Sequence, residues 1–356
     1  MLKALILSGG TGSRLRPLTY TGAKQLIPVA NKPILHYAID AIRDAGITDI
    51  GIIVGDTRVE IERNVGDGAQ FGVHITYIAQ EAPLGLAHAV KIAEGFIGGE
   101  EFLMFLGDNL VRDGVRAFAE QFTANRPNSL ILLSRVPDPQ RFGVAEIDEF
   151  GKIKRLIEKP KVPPSDLALV GVYLFDHHIF DAVKAIAPSP RGELEITDAI
   201  QYLIDSGRHV EAHVIDGWWK DTGKPEDMLE ANRMMVEAIA TRVDGSVDER
   251  SQIIGRAIIE AGATIENSMV RGPVVIGAGA VIRNSYIGPF TSISQGVQVI
   301  GSEVENSIIL QDTVIDCIPT RIDSSLIGKN VHISQVQERP KALTFVLGDN
   351  SRAQVQ

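Results

Sequence analysis

The sequence predicts an α/β protein: a mixed, mostly parallel sheet covered by helices over residues 1–240, then a parallel β-helix over residues 246–336. Two patterns carry that reading. Short apolar runs alternate with helical patterns through the first part of the chain, and after about Asp244 an aliphatic repeat replaces all helical signal. A chain of 356 residues also exceeds what one hydrophobic core usually organises.

The first apolar run, Leu2–Ser8, predicts a buried strand. Residues 33–46 predict a helix, with Pro33 at its start, Gly46 at its end and Ile34, Ile39 and Ile42 among its apolar positions. Strands at 50–54, 74–78 and 102–106 alternate with helices at 58–64 and 86–94. Strand and helix alternating at this spacing imply parallel strands covered on both faces. Between 130 and 176 the pattern turns strand-rich, with candidates at 130–136, 144–148 and 169–175; helices return at 196–205 and 226–240.

The repeat aligns on four tetrapeptides: Ile265-Glu266-Asn267-Ser268, Ile282-Arg283-Asn284-Ser285, Val304-Glu305-Asn306-Ser307 and Ile322-Asp323-Ser324-Ser325. Five and eleven residues further on stand Val270 and Ile276, Ile287 and Ile293, Ile309 and Ile315, Ile327 and Ile333. All twelve positions are Ile or Val. A period near 17–18 residues divided in thirds suits a triangular solenoid, with one aliphatic side chain per face stacking on the next coil. The 22-residue step between the second and third tetrapeptides implies an extra loop or an irregular turn near 296–303. Residues 241–245 read as a linker and 337–356 as a tail.

A net charge of −10 argues against a nucleic-acid partner, although local Arg and Lys can still bind a small anion. With one cysteine, Cys317, no internal disulfide forms and a cysteine-rich metal site is excluded. The apolar run at the N-terminus is too short for a signal sequence or a membrane span, so the expected compartment is the cytoplasm.

Chemistry concentrates after the first strand, in Leu7-Ser8-Gly9-Gly10-Thr11-Gly12-Ser13-Arg14-Leu15-Arg16-Pro17. A glycine-rich turn lets backbone N–H groups approach a polyphosphate, and Arg14, with Lys24 in a second basic segment, adds cationic donors. No Gly-Lys-Ser/Thr follows, so the segment is not a P-loop; nor is Gly9-Gly10-x-Gly12 the dinucleotide fingerprint. Asp108, in Leu106-Gly107-Asp108-Asn109, stands at the C-terminal end of a strand, where open α/β sheets bind ligands.

Taken together these segments resemble the nucleotide-sugar pyrophosphorylases, and among them the glucose-1-phosphate thymidylyltransferases, in order along residues 1 to about 240. The resemblance implies a Rossmann-like nucleotidyltransferase domain, and the repeats resemble the hexapeptide left-handed β-helix. It implies that Leu7, Gly9, Gly10, Thr11, Gly12, Ser13, Gln80, Pro83, Gly85 and Leu86 bind the nucleotide. Gln80-Glu81-Ala82-Pro83-Leu84-Gly85-Leu86 corresponds to the base-binding loop, and an amide matches the imide edge of thymine or uracil without separating them. Asp108 and Asp221, the latter in Trp218-Trp219-Lys220-Asp221, are implied ligands of Mg²⁺, a hard cation suited to carboxylates. Asn109, Gly143, Glu158, Leu169, Glu195 and Trp219 form the implied sugar side, with Lys159 on the sugar phosphate. Phe142 stands where shorter relatives carry Tyr, so no tyrosine hydroxyl is available there.

The expected partners are therefore dTTP or UTP and glucose 1-phosphate, with no membrane. Arg14, Lys24 and Lys159 would assist in-line attack at the α-phosphorus. A UTP-dependent or other sugar-1-phosphate enzyme is the nearest rival, and a non-catalytic scaffold of the same architecture a more distant one. Acyl transfer on the β-helix would need a base, and the repeats offer only His332. Flat β-helix faces are natural contact surfaces, which makes a homo-oligomer compatible with the sequence.

Overall fold

A computed structural model of the chain describes residues 2–335. The expected tail at 337–356 and the last expected β-helix residue, Val336, lie outside the described residues. The chain forms two compact units whose membership is interleaved in sequence: residues 2–11, Gly22–Leu26 and Ile34–Asp221 in one, and Gly12–Thr21, Ile27–Pro33 and residues 222–335 in the other.

The first unit is built on a nine-stranded mixed sheet. Its parallel part runs in the order His74–Ala79, Asp49–Val54, Lys3–Leu7, Phe102–Leu106. Leu167–Phe175 then pairs antiparallel with Phe102–Leu106, and carries Gly143–Ile147 and Ser129–Arg135 on its far side. Ile153–Glu158 and Val210–Val214 close the two edges of that antiparallel part. Alternating residues of one strand face opposite cores. Leu5 and Leu7 pack with the helices Leu86–Ile92, His178–Ala185 and Ile196–Asp205; Ala4 and Ile6 pack with Ile34–Asp44, Arg58–Val65 and Arg116–Asn125. Both faces are covered, which is why the central strands read as unbroken apolar runs.

The strands expected at 50–54, 74–78 and 102–106 and the helix at 196–205 form within one residue of their expected ends. Pro33 does not start a helix; it pairs with Pro28 in a two-residue ribbon, and the helix begins at Ile34. The strands Asn109–Val111, Ile153–Glu158, Val210–Val214 and Trp219–Asp221, and the helices Arg116–Asn125 and His178–Ala185, were not expected. The four strands are short or polar, as in Ile-Lys-Arg-Leu-Ile-Glu at an edge, and edge strands need no continuous apolar run.

The second unit is a three-faced stack of parallel strands, the arrangement expected of a left-handed β-helix. One face stacks Ile259, Ile276, Ile293, Ile309 and Ile327; a second stacks Val247, Ile265, Ile282, Val299, Ile315 and Ile333; the third stacks Ile253, Val270, Ile287, Val304 and Ile322. All twelve aliphatic positions read from the sequence lie in these ladders. The extra loop near 296–303 does not exist. Gln298–Ile300 is a regular strand whose Val299 belongs to the second face, and the tetrapeptide has moved from one corner of the triangle to the next. Asn267 and Asn284 turn the corner after the second face, Asn306 and Ser324 the corner after the third, all with φ between 44° and 50°. At the second-face corner of the skipped coil, Gly301 takes over with φ 54° and leaves no Asn for an alignment to catch. Asn and Gly are the residues that enter left-handed backbone at least cost. Each corner serine is equally repetitive: Ser268 Oγ donates to the Glu266 carbonyl at 2.7 Å and accepts from Ser285 N at 3.0 Å in the next coil.

The helix Pro225–Glu237 also belongs to this unit. Its Asn232, fully buried, accepts from Ala30 N (2.8 Å) and Ser292 Oγ (2.7 Å) and donates to the Phe290 carbonyl (2.9 Å). Among the described residues no helix is long and apolar enough to cross a membrane.

The ladder sets a stability test. Ile293 is stacked between Ile276 and Ile309 with no exposure. Ile293→Val should cost ~0.5–1.5 kcal/mol, whereas Ile293→Asp leaves an unpaired buried charge and should cost more than ~4 kcal/mol. Urea unfolding followed by circular dichroism separates the two outcomes.

Candidate active site

Lys3–Leu7 and Phe102–Leu106 are neighbours in the sheet, but the chain leaves Lys3–Leu7 toward Asp49–Val54 and His74–Ala79 before returning to its other side. The C-terminal ends of these two strands thus flank the point where the winding reverses, the usual crevice of an open α/β sheet. Gly9 and Gly10 follow one strand and Gly107 and Asp108 the other, and Gly107 N donates to the Leu7 carbonyl at 2.9 Å. Room for a side chain is tight at Gly9 and ordinary at Gly10. A Cβ on Gly9 would stand 3.1 Å from Gln80 Oε1, and one on Gly10 would stand 3.5 Å from Lys24 Cε.

Lys24 lies along Gly10 and its ammonium is ion-paired with Asp108 Oδ2; Asn109 Nδ2 donates to Asp108 Oδ1 at 2.8 Å. Burial by itself would raise the Asp108 carboxyl, but the Lys24 charge and the hydrogen bonds from Lys24 and Asn109 outweigh it and hold the group below the usual carboxylate range. The two-stranded antiparallel sheet of Asn109–Val111 with Trp219–Asp221 sets Asp221 across from Asn109, one residue along from Asp108. Trp219 Nε1 donates to Asn109 Oδ1 at 2.5 Å, and Phe142 packs edge-on against Trp219 with ring centres 5.2 Å apart. An apolar aromatic contact therefore occupies the position where a Tyr hydroxyl was absent from the sequence.

Two hard carboxylates on this small sheet and strand end, one of them ionised and already facing a positive charge, fit a divalent cation with oxygen ligands. A separate group, Asp176, His177 and His178, also brings three potential ligand atoms within 4.8 Å. It follows the C-terminal end of Leu167–Phe175, which runs antiparallel, so it sits at the opposite edge of the sheet. Its carboxylate is already spent on Asn128 Nδ2 and on the backbone and ring of His178.

Beside Gly9, Gln80 Nε2 lies 3.3 Å from the Gly85 carbonyl and 3.1 Å from His88 Nδ1. Gly85 has φ 102°, and a Cβ there would strike the backbone of Leu194, 2.7 Å from its N. Leu194 N donates to the Leu84 carbonyl (2.8 Å) and Ala87 N to the Leu194 carbonyl (3.0 Å), so the loop holding Pro83 and the helix starting at Leu86 are tied to the segment after Arg191.

That segment belongs to an acidic pocket. Arg191 Nη2 reaches Glu195 Oε1 at 2.8 Å and Glu158 Oε1 at 3.3 Å, and Ser189 Oγ donates to Glu195 Oε1 at 2.8 Å. Thr197 Oγ1 donates to Glu158 Oε2 at 2.7 Å. Gly143 faces Thr197, Glu158 and Leu169, with room for no side chain of its own. Lys159, at φ 41°, hydrogen-bonds its N–H to the Phe142 carbonyl at 3.0 Å and brings its ammonium within 3.4 Å of Glu158. Burial and the charges of Glu195 and Glu158 push the nearby Asp198 carboxyl up.

The first unit thus brings together Leu7, Gly9, Gly10, Lys24, Gln80, Gly85, Asp108 and Asn109 on one side of the crevice. It groups Gly143, Glu158, Lys159, Leu169 and Glu195 on the other, with Asn109 hydrogen-bonded to Trp219 and Asp221 across the two-stranded sheet. Thr11 ends the segment of this unit; Gly12, Ser13 and Arg14 belong to the second unit, in a short turn that Gly12 enters at φ 63°. Sequence reasoning missed His88, Arg191, Thr197 and Gly171. Gly171, at φ 72°, sits inside the apolar strand Leu167–Phe175, where a Cβ would stand 2.9 Å from Asn109 Oδ1. A lone glycine in such a run is a legible sign of close approach.

Residues 3–238 match the nucleotidyl transferase family. The chain belongs to that family. Members generally depend on a divalent metal. Over its whole length the chain is similar to the glucose-1-phosphate thymidylyltransferases of Streptomyces griseus, at 55% identity with 99% of each chain covered, and Streptomyces antibioticus, at 53% with 100% of each covered. Among solved structures it resembles a Bacillus anthracis chain assigned as a glucose-1-phosphate thymidylyltransferase and crystallised with sucrose. That match has a TM-score of 0.63 and 38% identity, and covers 68% of this chain and 98% of the other.

The glycine geometry yields a direct test. Gly85→Ala combines a glycine-only backbone with a backbone clash and should cost ~3 kcal/mol or more. Gly95→Ala, in a helical turn with open space around it, should be neutral or slightly stabilising. Hydrogen exchange at the Ala87 and Leu194 amides should accelerate in the first variant only.

Proposed function

We propose that this chain is a glucose-1-phosphate thymidylyltransferase, joining glucose 1-phosphate to dTTP to give dTDP-glucose and pyrophosphate. The observation that carries the proposal is the crevice itself. Lys24 lies along Gly10 with its ammonium paired to a part-buried, ionised Asp108, and the Gln80 amide lies against Gly9. A polyphosphate, a divalent cation and a base have their recognition chemistry within one strand end of each other, and similarity to the Streptomyces enzymes over the whole chain supports dTTP over UTP.

In this reading an oxygen of the sugar phosphate attacks the α-phosphorus, the bond to the bridging oxygen breaks on the opposite side, and pyrophosphate leaves. The attacking phosphate is already anionic at neutral pH, so no general base is required. Gly9, Gly10 and Thr11 would offer backbone to the phosphates, with Lys24 neutralising developing charge; Gly12, Ser13 and Arg14 are assigned to the phosphates by their sequence match alone. Asp108 and Asp221 would hold Mg²⁺, which when bound neutralises phosphate charge and aligns the oxygens. Pro83, Gly85 and Leu86 shape the wall beside Gln80. Glu158 and Glu195 accept from sugar hydroxyls, Gly143 and Leu169 border the ring, Asn109 and Trp219 complete its surroundings, and Lys159 meets the sugar phosphate. The β-helix, whose faces carry stacked aliphatics, serves structure and assembly, in keeping with a cytoplasmic homo-oligomer.

Two measurements test this. Pyrophosphate release from a panel of nucleoside triphosphates and sugar 1-phosphates should favour dTTP with glucose 1-phosphate, accept UTP less well and leave purines poor; equal use of GTP or ATP overturns the base assignment. Asp108→Asn and Asp221→Asn should each lower turnover at least ~100-fold at saturating Mg²⁺ with the fold retained, and near-normal turnover by either removes that residue from the metal site.

A further inference from the structure

We propose that His88 is a positioning residue that fixes the orientation of the Gln80 amide, so that the site selects a pyrimidine bearing N3–H and rejects cytosine. This rests on the reading of Gln80 as the group that meets the base.

An amide has two ends of opposite polarity, and which one faces the ligand decides what it reads. Thymine and uracil present a donor at N3, whereas cytosine presents an acceptor there. A free Gln side chain could turn either end outward and accommodate both. In this protein the nitrogen end is engaged twice: Gln80 Nε2 lies 3.3 Å from the Gly85 carbonyl and 3.1 Å from His88 Nδ1. The carbonyl can only accept, so Gly85 holds Nε2 as the inward end. Nε2 can only donate, so His88 Nδ1 must accept, which requires the neutral ring with its proton on Nε2. Both amide hydrogens are then committed to the protein, and the oxygen is what remains to offer. Oε1 lies over Gly9, in space a side chain at that position would occupy.

The surroundings favour the accepting form of His88. Burial, and then the charge of Lys91 on the same helix, hold its imidazole below the ordinary histidine range. Gly85 alone would satisfy only one of the two N–H groups. His88 occupies the second and removes the alternative in which the amide turns over, an example of specificity gained by excluding the wrong partner rather than by a new attraction.

The test uses the full-length chain and the ratio of kcat/KM for dTTP to that for dCTP, with glucose 1-phosphate as co-substrate. His88→Lys can only donate, so it competes for Oε1 and turns the amide. Its KM for dTTP should rise and the ratio should fall at least ~10-fold, while kcat at saturating dTTP stays within about threefold. His88→Gln can still accept through its own oxygen and should keep the ratio within about threefold of the unsubstituted chain. If the lysine variant does not fold, His88→Arg supplies the same donor-only polarity. A donor-only variant that keeps the original ratio overturns the proposal, as does an equal fall in the ratio for the lysine and glutamine variants. Gln80→Ala separates the two levels of the argument. Collapse of the ratio in Gln80→Ala supports the base reading on which the proposal stands; an unchanged ratio overturns that reading and the proposal with it.

Discussion

Everything at the nucleotide side depends on one constraint of sheet geometry. Lys3–Leu7 has parallel neighbours on both sides, and the connections from those neighbours leave in opposite directions, the arrangement that opens a crevice at the ends of Lys3–Leu7 and Phe102–Leu106. Gly9, Gly10 and Gly107 follow the strand ends there, and Gly107 N closes on the Leu7 carbonyl. Desolvation pushes the part-buried Asp108 toward its neutral form, and the Lys24 charge beside Gly10 outweighs that push. The ion pair is thus a consequence of the crevice, as is the need for Asn109 to hold the second carboxylate oxygen.

The acidic pocket follows a related logic. Glu158, Glu195 and Asp198 lie close enough to raise the last of these. One guanidinium, Arg191, offsets the cluster by bridging Glu158 and Glu195, and Thr197 and Ser189 fix the carboxylate rotamers. A set of acceptors held by several hydrogen bonds loses little freedom when hydroxyl groups replace water around it. The Leu84–Leu194 and Ala87–Leu194 hydrogen bonds connect this pocket to the loop beside Gln80, so the two halves of the site share one rigid stretch of backbone.

What was legible in the sequence divides along physical lines. Buried parallel strands write themselves as apolar runs, and the solenoid writes itself as a ladder, because in both cases burial dictates residue type. Edge strands such as Val210–Val214 and the strand carrying Asp221 are set by pairing partners far away in the chain, and left no local trace. The site residues came from motif resemblance, which finds side chains that touch ligands better than those that hold them. Hence Glu195 was singled out and Arg191, in the same segment, was not. His88 was invisible because its contact with Gln80 depends on a hydrogen-bond direction, which no spacing encodes. The error at 296–303 has the same origin: the alignment followed Asn-Ser chemistry, while the coil follows left-handed backbone, which Gly301 supplies equally well.

That interchangeability makes the solenoid a modular ruler. If one Asn-Ser corner serves on two different edges of the triangle, the corner carries no information about where in a coil it stands. Length can then be gained or lost in whole coils by duplication or deletion without redesigning any joint, since each corner serine asks only for a backbone N–H in the coil above. Such a scaffold can drift in extent while its cross-section stays constant, which decouples how far the surface reaches from how well the core is packed.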